Sequence, residues 1–108
     1  MSDKYLLRHK TSDVPLGELV IDVDSDIFSF SKNDSYTGPL PAFLAYPSKM
    51  KESDKIKMWV LERAPDPNNE FIDSLIKKIG ETSYNAYSFF KYNNGAFITD
   101  KFYVEPVI

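Results

Sequence analysis

The chain has 108 residues, of which 43% are hydrophobic and 15% aromatic, and its formal net charge is −3. This length is typical of one domain, and the composition is too apolar for a disordered chain. The absence of cysteine excludes disulfides and thiolate metal sites, and the acidic balance argues against general nucleic-acid binding. We therefore expect a single domain over residues 1–108 with no direct contact to nucleic acid.

The chain carries no sign of a membrane or secretory segment. No apolar run approaches the ~18 residues of a membrane span. The opening residues, Met1-Ser2-Asp3-Lys4, lack the apolar run of a signal peptide. We therefore expect a cytoplasmic protein with no membrane partner.

The first third of the chain predicts three β-strands. Residues 4–10 form a short apolar run, and residues 14–22 are rich in Leu, Val and Ile. In residues 27–31, Phe28 and Phe30 alternate with serines, which is the pattern of a half-buried strand. Runs this short, separated by turn residues, most simply form an antiparallel meander.

The next segment, residues 33–52, is irregular because glycine and prolines interrupt it. It nevertheless carries the apolar residues Leu40, Phe43, Leu44 and Tyr46. We expect it to lie across the core or to form one helical turn.

A first helix is predicted to begin at Ser53, a good N-cap residue, and to end before Pro65. Its residues at spacings of three and four share one face: Ile56, Trp59, Val60 and Arg63.

A second helix is predicted to begin at Asp66-Pro67, with an N-cap side chain followed by proline at the first helical position. Gly80 is placed to cap its end. Its apolar stripe should pack on the sheet and comprises Phe71, Ile72, Leu75, Ile76 and Ile79.

A shorter third helix, capped by Ser83, should end at Asn93-Asn94-Gly95, and residues 97–104 are predicted to form a closing strand. The fold prediction is an α+β domain in which a small antiparallel sheet packs against two or three helices.

Catalytic patterns are missing. The single histidine, His9, has no nucleophile or ligand nearby in the sequence, so a surface position is the simplest reading. Asp22, Asp24 and Asp26 imitate a calcium loop, but that loop needs Gly and Glu at later positions that here hold other residues. They are read as a solvated hairpin turn. No phosphate loop or kinase motif is present, so we expect no enzyme activity, no cofactor and no metal.

Two features remain candidates for binding. Four lysines cluster just before the first predicted helix and in its first turn, where a solvated face is the simplest reading and a phosphate-contacting patch the alternative: Lys49, Lys51, Lys55 and Lys57. Trp59 and Arg63 are one helical turn apart and are of the types most common at binding hot spots. Trp59 can be a core residue or a partly exposed interface anchor. If it is core, the anchor should be sought among Tyr46, Tyr36 and Phe43.

Several of these segments together resemble the N-terminal subdomain of HipA-like toxin kinases. The matching segments are residues 4–10 followed by 14–19 (VPLGEL), residues 59–63 (WVLER) with the prolines after them, and residues 89–91 (FFK) through 97–106 (FITDKFYVEP). They cover most of the chain and occur in the order found in that family.

The resemblance implies a function that the residues alone do not. In that family the subdomain precedes a serine/threonine kinase module, and stand-alone versions are HipS-like antitoxins of three-part toxin–antitoxin systems. It therefore implies a non-catalytic antitoxin that binds and inhibits a HipA/HipT-like kinase, with a DNA-binding third component reached through the kinase. Residues Trp59, Arg63, Tyr46 and Phe43 are the candidates for the partner-binding surface.

Two alternatives stay open. The chain can be the N-terminal regulatory fragment of a single-chain HipA-like kinase, since it ends at Ile108, where the kinase module would begin. It can also be a phage or mobile-element protein-binding module of similar fold.

Overall fold

The computed structural model describes residues 2–97 and 99–107, in which four strands and four helices follow one another. The strands are β1 (Asp3–His9), β2 (Gly17–Asp22), β3 (Ile27–Lys32) and β4 (Phe102–Pro106); the helices are α1 (Ala42–Ala45), α2 (Glu52–Glu62), α3 (Ile72–Lys78) and α4 (Ala86–Tyr92). This arrangement confirms the α+β prediction. The terminal residues of the domain predicted over 1–108 lie outside the described residues.

The sheet is antiparallel, with the strand order β3-β2-β1-β4. The first three strands form the predicted meander, and β4 joins it on the free side of β1. Leu7 lies opposite Gly17 on one side and Val104 on the other. The closing strand was expected over residues 97–104 but begins only at Phe102; Ile98 of that prediction lies outside the described residues.

The helices cover one face of the sheet. The alternation along each strand directs a continuous set of side chains into the core: Tyr5, Leu7, His9, Leu19, Ile21, Phe28, Phe102 and Val104. On the opposite face, Lys4, Glu18, Ser29 and Glu105 are exposed. Gly17 is required in β2 because a Cβ atom there would lie 2.1 Å from the carbonyl oxygen of Ser31.

The irregular segment contributes to the core, as expected. Tyr36 and Phe43 are both buried, and residues Ala42–Ala45 form the single helical turn α1. The segment thus lies across the core and also forms a helical turn.

Helix α2 begins at Glu52 with Lys51 at the N-cap position, two residues before the predicted cap Ser53, and no side chain caps it. Its buried residues are Ile56, Trp59 and Val60. It packs against β3, α1 and α4, which makes it the central helix of the fold.

Helix α3 begins later than predicted because two polar side chains hold the preceding residues in turns. Asp66 accepts a hydrogen bond from the Asn68 N–H at 2.8 Å, and Asn69 accepts one from the Phe71 N–H at 2.8 Å. The end of the helix agrees with the sequence: Gly80 has a φ of 81°, and its N–H donates to Lys77 as in a Schellman cap.

The expectation that the stripe of α3 packs on the sheet is wrong. In the described part of the chain, the backbone of α3 makes no close approach to any other helix or strand, and its buried residue, Ile76, lies outside the core cluster. Phe71 is 63% exposed, and only Ile76 is buried. The turns between residues 64 and 71 displace the helix to the periphery, where its remaining apolar residues are half-buried.

Helix α4 is capped by Asn85 rather than Ser83. The Asn85 side chain accepts hydrogen bonds from the N–H groups of residues 87 and 88. The helix is tied to β1 by Tyr87, whose hydroxyl lies 2.8 Å from the Tyr5 hydroxyl and donates to Asp3 at 2.8 Å. Burial and these hydrogen bonds raise the pKa of Tyr87 well above its usual value.

Candidate partner-binding surface

Arg63 lies at the end of α2, and its buried side chain donates four hydrogen bonds. Its two terminal nitrogens donate to the carboxylate of Asp100 at 2.8 and 2.6 Å, a bidentate pair. The same side chain donates to the carbonyl oxygens of Gly95 and Phe102. Its guanidinium carbon lies 4.2 Å from the ring centre of Trp59. We call Arg63, Asp100 and Trp59 the arginine clamp.

The clamp holds the chain between α4 and β4 against α2. Burial by itself raises the pKa of Asp100, but the hydrogen bonds from Arg63 and from the Phe102 N–H outweigh it and hold the pKa below its usual value. The charge of Arg63 acts in the same direction. The carboxylate therefore stays ionised opposite a buried cation, which is the condition under which such a pair is stable.

Trp59 is a core residue. It is 5% exposed and contacts Phe43 and Phe90 edge to face, with ring centres 5.4 and 6.4 Å away. The expectation that part of its ring stays exposed is wrong, because Arg63 covers one side of the ring while Phe43 and Phe90 pack around it.

The four residues predicted for partner binding differ in accessibility. Trp59, Arg63 and Phe43 are buried, and the alternative anchor Tyr36 is buried as well, with its hydroxyl bonded to the carbonyl of Pro39. Tyr46 is 71% exposed. A partner can therefore reach Tyr46 directly, whereas the buried residues can act only as support.

Three of the four residues nevertheless meet in one place. Phe43, Tyr46 and Trp59 line a groove of about 170 Å³ between α1 and α2, which we call the α1–α2 groove. Arg63 does not line this groove and instead lines a separate cavity. The groove also includes two exposed methionines that the sequence analysis did not select, Met50 and Met58.

The position of Met58 in the sequence indicates that it is exposed. Met58 precedes the buried Trp59 and Val60, so the helical spacing places it outside the core stripe of α2. Exposed methionine is flexible and polarizable, and it is frequent on surfaces that bind proteins.

The four clustered lysines divide into two groups. Lys57 of α2 forms an ion pair at 2.7 Å with Asp26, which lies in the hairpin between β2 and β3. Lys55 lines the α1–α2 groove, and Lys49 and Lys51 are exposed on the loop beside it. The groove thus has basic residues at its edge, with Glu62 as the acidic residue of its lining.

His9 is not a surface residue, contrary to the expectation. It is 7% exposed, contacts the ring of Phe102, and accepts a hydrogen bond at Nδ1 from the Thr11 N–H at 3.2 Å. Its position follows from the strand alternation, since Tyr5 and Leu7 precede it at spacings of two on the same face.

The aspartates of residues 22–26 form the expected hairpin turn, in which Asp24 and Asp26 are exposed as predicted but Asp22 is buried. Asp22 accepts a hydrogen bond from the Ser25 N–H at 3.2 Å, and the turn joins β2 to β3. Within residues 2–97 and 99–107, no group of three or more His, Cys, Asp or Glu residues is arranged to hold a metal ion.

In the same ranges, no helix has both the length and the apolar character needed to span a membrane.

Comparisons with protein-family models, with curated proteins and with solved structures found no significant match for this chain. The resemblance to HipA-like kinases is therefore carried by the sequence motifs alone. Two of those motifs meet in the arginine clamp, since Trp59 and Arg63 come from one and Asp100 and Phe102 from the other. In this structure the motif residues stabilise the fold.

Proposed function

We propose that the chain is a non-catalytic, antitoxin-like subunit that binds and inhibits a HipA-type serine/threonine kinase, and that it binds through the α1–α2 groove. One observation carries the choice of surface: Phe43 and Trp59 form a buried aromatic floor beneath the exposed Tyr46, Met50 and Met58. The resemblance supplies the class of partner.

The groove has the layout of a binding hot spot. Tyrosine is among the commonest hot-spot residues, and its ring offers a large contact area with few rotatable bonds. The floor beneath Tyr46 is fixed, because Trp59 is held between Arg63 and Phe43. A partner side chain that enters beside Tyr46 would therefore contact a surface that is already ordered.

The charge at the edge of the groove favours an acidic partner surface. Lys55 lines the groove together with Glu62, and Lys49 and Lys51 are exposed chain neighbours of its lining residues Ser48 and Met50. Opposite charges across an interface speed association and fix its register. Inhibition by such contact requires occlusion of the kinase and no chemistry by this chain.

The test is the affinity of the purified chain for the HipA-type kinase of the same genome, measured by calorimetry. Tyr46→Ala should weaken binding by at least ~2 kcal/mol, the usual hot-spot threshold, and should reduce inhibition of autophosphorylation in parallel. The domain should stay folded, since most of the Tyr46 side chain is in solvent.

Phe71→Ala is the matched control, because Phe71 is a similarly exposed aromatic residue outside the groove. It should bind like the unmodified chain. Equal affinities of the Tyr46 and Phe71 variants would contradict the assignment of the groove. Failure of the unmodified chain to form any complex with the kinase would contradict the function itself.

A further inference from the structure

A second concave site lies between α3, α4 and the chain that follows α4. Its volume is about 490 Å³. Its apolar walls are formed by Leu75 and Ile79 of α3, by Phe89 of α4 and by Phe97. We call it the α3–α4 cleft; it lies apart from the α1–α2 groove and shares no lining residue with it.

The charged side chains that line this cleft are all basic. Lys10 and Lys78 line it and are exposed, one from the turn after β1 and the other from the last turn of α3. Arg63 also reaches the cleft, but Asp100 neutralises it. No aspartate or glutamate is among the residues that line it. This charge contrasts with the net charge of −3 of the whole chain.

We propose that the α3–α4 cleft binds a small amphiphilic organic anion. The apolar body would lie against Leu75, Ile79 and Phe97, and the anionic group would lie near Lys10 and Lys78. The volume falls within the ~300–1,000 Å³ of small-molecule sites, which are mostly apolar with a few polar groups that orient the ligand. The positive charges of Lys10 and Lys78 favour an anion over a neutral molecule of the same shape.

The peripheral position of α3 supports this inference. Leu75 and Ile79 belong to a regular apolar stripe but are only half-buried, and the backbone of α3 does not closely approach any other described element. A ligand between α3 and α4 would remove these side chains from water, which is favourable for apolar surface. The proposal does not depend on the proposed function, since it uses other residues.

The experiment titrates the intact chain with two fluorescent probes that have the same ring system. One is 1-anilinonaphthalene-8-sulfonate, an anion, and the other is N-phenyl-1-naphthylamine, its neutral counterpart. The anionic probe should bind saturably at one site and at least about 10-fold more tightly than the neutral one, because only it engages the lysines. Near-ultraviolet circular dichroism should show that the chain remains folded when the probe is bound.

The variant Lys10→Glu/Lys78→Glu should weaken binding of the anionic probe by roughly 10-fold or more, since attraction becomes repulsion. It should leave the neutral probe almost unaffected. Lys4→Glu/Lys32→Glu is the matched control, with the same change of net charge at exposed positions outside both the cleft and the α1–α2 groove. It should retain the affinity of the unmodified chain for both probes.

Competition on the unmodified chain gives a test that needs no substitution. Decanoate below its micellar concentration should displace the anionic probe, and decanol should not. The proposal is overturned if the anionic probe does not bind saturably, if both probes bind equally, if the two charge variants behave alike, or if decanol displaces the probe as well as decanoate.

Discussion

Helices α2 and α3 are both amphipathic, but they are held in different ways. In α2, Ile56 and Val60 are fully buried and Trp59 almost so, and the helix packs against β3, α1 and α4. In α3, Ile76 is the buried residue, and the backbone of the helix does not closely approach any other described element. The more regular stripe in the sequence therefore belongs to the less buried helix.

The difference lies in where the contacts of each helix come from. Arg63, at the end of α2, is bonded to Gly95, Asp100 and Phe102, which are more than thirty residues away in the chain. The ends of α3 are fixed by local groups, notably the turn at Asn69 and the Gly80 cap. Local signals thus decide that a helix forms, and distant residues decide how deeply it is buried.

The largest expected effect is that of Trp59→Ala. Loss of this buried ring should lower the free energy of unfolding by about 3–5 kcal/mol, because the ring contacts Phe43, Phe90 and Arg63. Tyr46→Ala, which removes an exposed ring from the same groove, should change it by less than about 0.5 kcal/mol. Urea denaturation followed by circular dichroism measures both. Equal effects would place Trp59 outside the core and return it to the list of interface candidates.

Much of the architecture could be predicted from the sequence because its signals are local. The alternation of Phe28 and Phe30 with serines indicated β3, and Gly80 indicated the end of α3. The placement of His9 and Arg63 could also have been inferred, since each continues a buried pattern, at a spacing of two in β1 and of three and four in α2.

What the sequence could not provide was the pairing of Arg63 with Asp100. Nothing local marks an aspartate as the partner of an arginine thirty-seven residues earlier. Without that pair, the residue types alone made Trp59 and Arg63 hot-spot candidates, and both were assigned to partner binding. The α1–α2 groove was likewise hidden, because Tyr46 and Met58 are brought together only by the packing of α1 on α2.

The intermediate effect concerns Asp100→Asn, which tests whether the clamp is the distant contact that fixes α2. The substitution removes a charge from a bidentate pair with a buried guanidinium, so it should cost about 1.5–3 kcal/mol near neutral pH. Asn keeps the size of the side chain, which separates the effect of charge from that of volume.

The lowered pKa of Asp100 also predicts how the effect of Asp100→Asn on the unfolding free energy changes with pH. Because the pKa of Asp100 is lower in the folded chain than in the unfolded chain, its contribution is fully present above the unfolded value of about 4 and is lost as pH falls through the folded value. The difference in unfolding free energy between the unmodified chain and Asp100→Asn should therefore shrink on acidification from about pH 5. The other carboxylates titrate in both proteins and cancel. A difference that is constant from pH 7 to pH 3 would contradict the ionised pair.

The smallest expected effect is that of Leu75→Ala, which tests whether the apolar stripe of α3 is only partly buried. Full burial of a leucine contributes about 1.5–3 kcal/mol, and Leu75 is half-buried at the edge of the α3–α4 cleft, so its truncation should cost about 1 kcal/mol. Ile56→Ala is the matched change, because Ile56 is an aliphatic residue of the same size, fully buried in α2, and should cost about 2–5 kcal/mol. Urea denaturation of the two variants side by side measures the ratio. If Leu75→Ala cost as much as Ile56→Ala, the stripe of α3 would be packed as the sequence suggested, and the cleft beside it would be filled by the protein itself. A small cost for Leu75 and a large one for Ile56 would instead show that the regularity of a stripe does not measure its burial.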